Sequence, residues 1–239
     1  EGVTYERIDL RVAGLGLGLD ARESGVPICL SACHVRFAES GAGGAGLVLR
    51  VRNGPLSSTG GMQPIFRDDG TWQLWRDRAG RHVFFAPKGS PPPRQVTIDP
   101  AFTAGDVTGE FSTMGAGRWS RYPLQDIDMM IFANWLAETG DLILHASGVD
   151  DHGEGYAFVG PSGAGKSTLA AELSRVPGVT VLGEDTVIVR RQAGRFVLYG
   201  TPWHTSPALC SPGGVPLTKL FFLDRTVGHH ALPCSPRGG

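Results

Sequence analysis

Over the first half of the chain, apolar positions fall in short runs broken by turn residues, which predicts strands rather than helices. The runs Gly46-Leu47-Val48-Leu49-Arg50-Val51, Thr71-Trp72-Gln73-Leu74-Trp75 and His82-Val83-Phe84-Phe85 have β-type composition. Asp68-Asp69-Gly70 and Arg78-Ala79-Gly80 read as turns between them. Pro91-Pro92-Pro93 predicts an irregular or polyproline stretch, because proline fixes φ and removes the backbone donor. Glycines 14, 16 and 18 alternate with leucine, and no helical pattern follows them, so they read as a flexible strand or a bulge.

The pattern changes near residue 120. Leu124, Ile127, Met130, Ile131 and Leu136 recur at near-helical spacing. With Pro123 at the first position and Gly140 as C-terminal cap, a helix is expected over 123–139. It is expected to pack beneath the sheet of the second half and to join the two regions, with Asp126 and Asp128 solvated. Beyond it, Leu142-Ile143-Leu144-His145-Ala146, Gly155-Tyr156-Ala157-Phe158-Val159, Val179-Thr180-Val181-Leu182 and Lys219-Leu220-Phe221-Phe222-Leu223 read as strands. Thr186 to Arg190 and Arg195 to Tyr199 read as a hairpin around Ala193-Gly194. One convincing helix, starting near Leu169, lies between these strands, so a doubly wound parallel sheet is not expected. The predicted class is α/β (α+β): a strand-rich region over 1–120, then a mixed sheet with hairpins wrapped around a single helix over 121–239.

Composition narrows the function classes. The 239 residues are 41% hydrophobic, enough for a core, and the net charge is −1. That charge provides no field to attract nucleic acid or an anionic membrane, so neither is expected as a partner. No apolar run approaches the ~20 residues of a membrane span. No secretory signal is read at the start, which is Glu1 rather than Met. Four cysteines in a chain with its own core argue for a reduced, cytoplasmic protein rather than a disulfide scaffold. Cys29, Cys33 and His34 form a C-x3-C-H cluster, but a zinc site needs about four ligands and no second well-spaced cluster exists. These residues read as small groups of a buried segment.

The chemistry concentrates in Gly160-Pro161-Ser162-Gly163-Ala164-Gly165-Lys166-Ser167-Thr168, a match to the phosphate-binding P-loop between a strand and a helix. In such a loop, glycines let backbone N–H groups cradle phosphate oxygens, and the helix adds its positive end. Lys166 would reach the β/γ-phosphates of ATP, and the Ser167 hydroxyl would hold Mg²⁺. Glu184 and Asp185 end the next apolar strand, where a carboxylate can anchor the cation and another can take a proton. His145 ends the strand before the P-loop strand. If those strands ran parallel as neighbours it would lie near the phosphates; a structural histidine is the alternative. Thr201-Pro202-Trp203-His204 reads either as a cleft lining or as an ordinary turn with a packed Trp. Pro212, Gly213, Gly214 and Pro216 mark a loop able to close over a substrate, and His229-His230 read as exposed.

Taken in order, His145-Ala146-Ser147-Gly148-Val149, the P-loop, Gly183-Glu184-Asp185 and Gly200-Thr201-Pro202-Trp203-His204 resemble the HPr kinase/phosphorylase-like group, over about residues 120–225. These are P-loop kinases with a core similar to that of phosphoenolpyruvate carboxykinases. The resemblance is to HPr-kinase-related proteins rather than to HPr kinase itself. It implies that Asp185 helps bind the metal and that Glu184, where the family usually carries Asp, acts as base. It also implies a role for His145 beside the phosphates. The function expected is an ATP- and Mg²⁺-dependent kinase acting on a hydroxyl, Ser or Thr of a protein or peptide. A small-molecule kinase, or a nucleotide-gated binding module, is the alternative. The N-terminal region would select substrate or mediate assembly, a homo-oligomer included. Phosphorylase activity is not carried over, because no segment matching the one that serves it is found.

Overall fold

The computed structural model describes residues 3–39, 44–68, 72–86, 93–111, 122–125 and 127–224. Asp126, Pro91, Pro92, Cys234, His229 and His230 lie outside them, so the expectations placed there carry no structural account. The described residues are sheet-rich with few helices. None of their helices is long and apolar enough to cross a membrane.

Strands β1 (Thr4–Tyr5), β2 (Arg7–Val12), β3 (Leu15–Asp20) and β4 (Ile28–Cys29) open the chain, followed by the one-turn helix α1 (Ala32–Val35). Then come β5 (Ala38–Glu39), β6 (Leu47–Asn53), β7 (Gln63–Arg67), β8 (Gln73–Arg76), β9 (His82–Ala86), β10 (Arg94–Ile98) and β11 (Ala104–Gly109). β1 pairs with β4, and the rest form one sheet in the order β5-β2-β3-β6-β11-β10-β9-β8-β7. The strand-rich reading of this half therefore holds. The glycine run is not a bulge. β3 pairs in unbroken register with β2 on one side and runs parallel to β6 on the other. A Cβ at Gly16 would come within 2.3 Å of the Gly44 carbonyl oxygen, so glycine is there for a close backbone approach.

The expected helix is shorter at its start. A turn covers Tyr122 to Gln125, and α2 proper is Asp128–Ala137. Its end is as expected: Gly140 takes φ +71°, Asp141 N donates to Leu136 O and Gly140 N to Ala137 O, a Schellman cap. α2 does not lie mainly beneath the second sheet. Ile131, Phe132 and Leu136 join the large core built on the first sheet, with Leu10, Leu17, Leu19, Leu47, Leu49, Phe84, Val96 and Ile98. Each such side chain contributes about 1.5–3 kcal/mol on burial, and that core is by far the larger of the two regions' apolar cores.

The second sheet follows directly. Its strands are β12 (Leu142–Leu144), β13 (Ala146–Asp151), β14 (Glu154–Val159), β15 (Val179–Gly183), β16 (Val187–Gln192), β17 (Arg195–Tyr199) and β18 (Gly214–Phe222). Their order is β12-β16-β17-β18-β14-β13-β15. Only β14 and β18 run parallel; the other neighbours are antiparallel, as the mixed-sheet reading expects. The helix α3 (Lys166–Leu173) lies on β13 and β15, burying Ala170 with Val149 and Val181. Gly214 and Pro216 are strand residues paired with β17, so the closing loop expected over 212–216 is not formed.

A buried ion pair joins the two sheets. Asp141, just past α2, accepts hydrogen bonds from Arg190 Nε (2.8 Å), Arg191 N (2.9 Å) and Thr139 Oγ1 (2.6 Å). Arg190 also donates to the Ala13 carbonyl at the β2–β3 turn (2.7 Å). Burial pushes the Asp141 carboxyl up, but these donors outweigh it and hold the pKa below the ordinary value. Asp141→Asn leaves the guanidinium without its charge partner; a loss of about 3 kcal/mol in urea denaturation is expected. A loss under about 1 kcal/mol would show that the junction does not depend on the pair.

Candidate functional site

The glycine-rich loop over 160–165 lies between β14 and α3, the two elements the sequence assigns to it. β14 ends at Val159, held by β18 through Leu223 N donating to Val159 O at 2.7 Å. Gly160 is then squeezed: a Cβ there would meet the Ala164 Cβ at 2.8 Å and the Leu223 Cβ at 3.2 Å. Gly163 and Gly165 take φ of +78° and +102°, conformations that side chains resist. Gly165 caps α3 with no side-chain hydrogen bond. The first-turn N–H groups of α3 are therefore free to meet an anion.

Lys166 is only 5% exposed. Its ammonium donates to the loop's own carbonyls, Gly160 O (2.8 Å) and Pro161 O (3.1 Å). A buried cation resting on neutral carbonyls is half satisfied, and phosphate oxygens would be the stronger partner.

A cleft of about 230 Å³ opens here. His145 and Asp185 line it opposite Ser162, Gly163 and Gly165-Lys166-Ser167-Thr168. Gly160, Pro161 and Ala164 build the loop but do not line the cleft. His145 arrives by a different route from the parallel neighbour expected. It occupies a break between β12 and β13, and β13 turns back into β14 as an antiparallel hairpin. β15 pairs antiparallel with β13, with Gly183 opposite Gly148, and so delivers Asp185 to the same place. His145 Nδ1 stands 3.3 Å from Asp185 Oδ1. Glu184 does not line this cleft; its charge acts on Cys210.

Ser167 and Asp185 place a hydroxyl and a carboxylate in one cleft, oxygen donors that suit Mg²⁺. Among the described residues no cluster of three His, Cys, Asp or Glu could hold a metal alone, so phosphate oxygens and water would complete the shell.

Pro202, Trp203 and His204 do line a cleft, a second one of about 450 Å³, while Thr201 is buried behind it. Its far wall comes from α1 and the turn before α2. Asp128, expected to be solvated, is 3% exposed. Its carboxylate receives Tyr122 Oη (3.2 Å) and Met129 N (2.9 Å), and lies 2.8 Å from His34 Nε2. Ser31 Oγ sits 2.8 Å from His34 Nδ1. Burial first, then the Asp128 charge, pushes the Tyr122 phenol well above its ordinary pKa. Sequence reading missed this group because its members come from segments about 90 residues apart, with no shared motif.

Hydrogen-bond logic fixes the state of His204. The Thr201 hydroxyl has one proton and donates it to Thr186 O (2.8 Å). His204 Nε2, 3.0 Å from Thr201 Oγ1, must therefore be the donor. That leaves Nδ1 as a bare lone pair with no partner among the described residues. Burial lowers the pKa of the ring, while the charge of Asp185 opposes that shift. The ring packs on Gly183, where a Cβ would lie 2.8 Å from Nε2, so the two clefts adjoin.

Cys33 and His34 are buried, as read, and Cys29 is half-buried. Cys33 Sγ donates to His204 O (3.0 Å). Burial, reinforced by Cys33, pushes the Cys210 thiol up to about 12, so it stays protonated at neutral pH.

No known family model matches this chain, and no curated protein matches it either.

His204 and His82 are both held below the ordinary histidine value of 6.5, in each case chiefly by burial. Below pH 6.5 the unfolded chain binds protons that the fold refuses, so stability is full above that pH and declines as pH falls. His204→Gln is expected to flatten the dependence by its own share, measured by urea titrations at stepped pH. An unchanged slope would show that the ring is not kept neutral by the fold.

Proposed function

We propose that the protein is an ATP- and Mg²⁺-dependent kinase, with a P-loop core like that of the HPr-kinase-related group, transferring the γ-phosphoryl group to a Ser or Thr hydroxyl of a protein or peptide. One observation carries the reading. A phosphate loop with a buried, under-satisfied Lys166 shares its cleft with a His145–Asp185 pair, so groups suited to binding phosphate and to moving a proton stand side by side.

Phosphoryl transfer needs positioning and charge neutralisation more than covalent chemistry. In this reading Lys166 leaves the loop carbonyls for the β/γ-phosphates, and the α3 N-terminus and loop amides bind their oxygens. Ser167 and the free oxygen of Asp185 would hold Mg²⁺, which supplies charge neutralisation on the phosphates. The acceptor oxygen forms a bond to the γ-phosphorus as the bond to the β–γ bridging oxygen breaks, and ADP leaves with that electron pair. The hydroxyl proton needs a base. We assign it to His145, because His145 lines the cleft and Glu184, the base the resemblance suggests, does not. Asp185 Oδ1 orients the ring at Nδ1, which leaves Nε2 to take the proton.

The test is transfer of label from γ-³²P-ATP with Mg²⁺ to an extract of the source cells and to free amino acids and sugars. A labelled macromolecule that disappears with Lys166→Ala is the expected result; undiminished transfer by that variant overturns the mechanism. Label confined to small molecules overturns the peptide acceptor. His145→Asn is expected to lower kcat by about 10²–10⁴. Glu184→Gln is expected to change it far less, and the reverse ranking would return the base to Glu184.

A further inference from the structure

We infer that Ser31, His34 and Asp128 form a second chemical centre, a nucleophilic serine that takes an acyl group from a carboxylic ester seated in the cleft of about 450 Å³. It needs neither nucleotide nor Mg²⁺, so it stands or falls apart from the kinase reading.

The three side chains are connected in series. Ser31 Oγ lies 2.8 Å from His34 Nδ1, and His34 Nε2 lies 2.8 Å from Asp128 Oδ2. All three line the same cleft. The Asp128 carboxylate fixes the direction of the protons. It accepts from Tyr122 Oη and from the Met129 N–H, and His34 Nε2 is its third donor. In the neutral ring Nδ1 is then a lone pair, and the Ser31 hydroxyl donates to it. Nucleophile, base and orienting carboxylate in this connectivity recur at acyl-transfer sites on unrelated folds. The usual arrangement turns Nε2 to the serine and Nδ1 to the carboxylate. Here the two nitrogens are exchanged, because Ser31 and His34 share one helical turn and Nδ1 is the nitrogen nearer the backbone.

Burial is divided as the chemistry requires. Asp128 and His34 are buried, whereas Ser31 is exposed. Tyr122 packs on the His34 ring, centroids 4.6 Å apart, and so holds its plane. Ser31 Oγ accepts the His34 N–H (3.2 Å), which fixes its rotamer and leaves one oxygen lone pair for attack. An N-cap serine accounts for that backbone contact alone. The ring nitrogen on the same oxygen, with a buried carboxylate behind it, is more than a cap uses. Met129, Pro202 and Trp203 give an acyl chain an apolar wall.

In the first half of the reaction Ser31 Oγ bonds to the acyl carbon and its proton passes to His34 Nδ1. Asp128 steadies the imidazolium. The ester C–O bond breaks, and the alcohol leaves with that proton. In the second half water bonds to the acyl carbon and gives its proton to Nδ1. Ser31 takes the proton back as the carboxylic acid departs.

The experiment exposes the whole protein to an alkyl fluorophosphonate, which loses fluoride as a serine oxygen bonds to phosphorus. Hydrolysis of para-nitrophenyl butanoate is followed separately, and both assays omit ATP and Mg²⁺. Peptide mass spectrometry is expected to find the phosphonyl group on Ser31. Ser31→Asn keeps a good N-cap without a hydroxyl, and is expected to lose both labelling and hydrolysis. His34→Gln is expected to slow labelling by about 10²–10⁴, the range of a general base. Asp128 acts through His34 and is a positioning residue; Asp128→Asn is expected to lower kcat for the ester at unchanged KM. Thermal midpoints confirm folding, and where Asp128→Asn does not fold the other two variants decide. An unlabelled protein, label on another residue, or undiminished labelling of His34→Gln overturns the centre. Labelling of Ser31 without phosphoryl transfer from ATP keeps this centre and removes the kinase; transfer by a protein whose Ser31 stays unlabelled does the reverse.

Discussion

The buried contact of Asp141 with Arg190 is the constraint on which the arrangement of this molecule depends. Asp141 follows the cap of α2, Arg190 lies on β16, and the guanidinium reaches across to the Ala13 carbonyl of the first sheet. Three segments far apart in the chain are thus held by one planar cation with directed donors. Its geometry sets where β12 begins relative to α2, and hence where His145 and the phosphate loop stand relative to the first sheet. Trp203 packing on Phe132 ties the second region to the same helix from its other side.

The cleft beside Lys166 and the second cleft are built on opposite principles. The first is backbone: two glycines at positive φ, a helix end without a side-chain cap, and a lysine resting on carbonyls. It presents backbone N–H groups and one cation, the kind of partners an anion takes. The second is side chain: a His34–Asp128–Tyr122 group on one wall and Pro202, Trp203 and His204 on the other. Gly183 lets the two meet, because only a residue without a Cβ leaves room for the His204 ring.

Local signals were legible in the chain. The glycine-rich loop before α3, the hairpin at Ala193-Gly194 and the cap at Gly140 each depend on residues within a few positions of one another, and positive-φ glycines or an Ala-Gly pair announce them. The strand-rich first half and the mixed second sheet follow from short apolar runs with a single helix among them. Pairing direction was not legible. Whether β13 runs parallel or antiparallel to β14 turns on the tight turn at His152-Gly153, both at positive φ, which an apolar run does not reveal.

The sequence by itself determined the glycine-rich loop before α3, its flanking strand and helix, and the sheet-rich class, because these are properties of neighbouring residues and of hydrophobic period. Tertiary structure alone decided that Asp128 is buried rather than solvated, that Asp185 and not Glu184 lines the cleft beside Lys166, and that α2 belongs to the first sheet. The physical reason is common to all three. The environment of a polar side chain, and the partner of an amphipathic face, are set by what the rest of the chain brings opposite, and that information is carried by no local window.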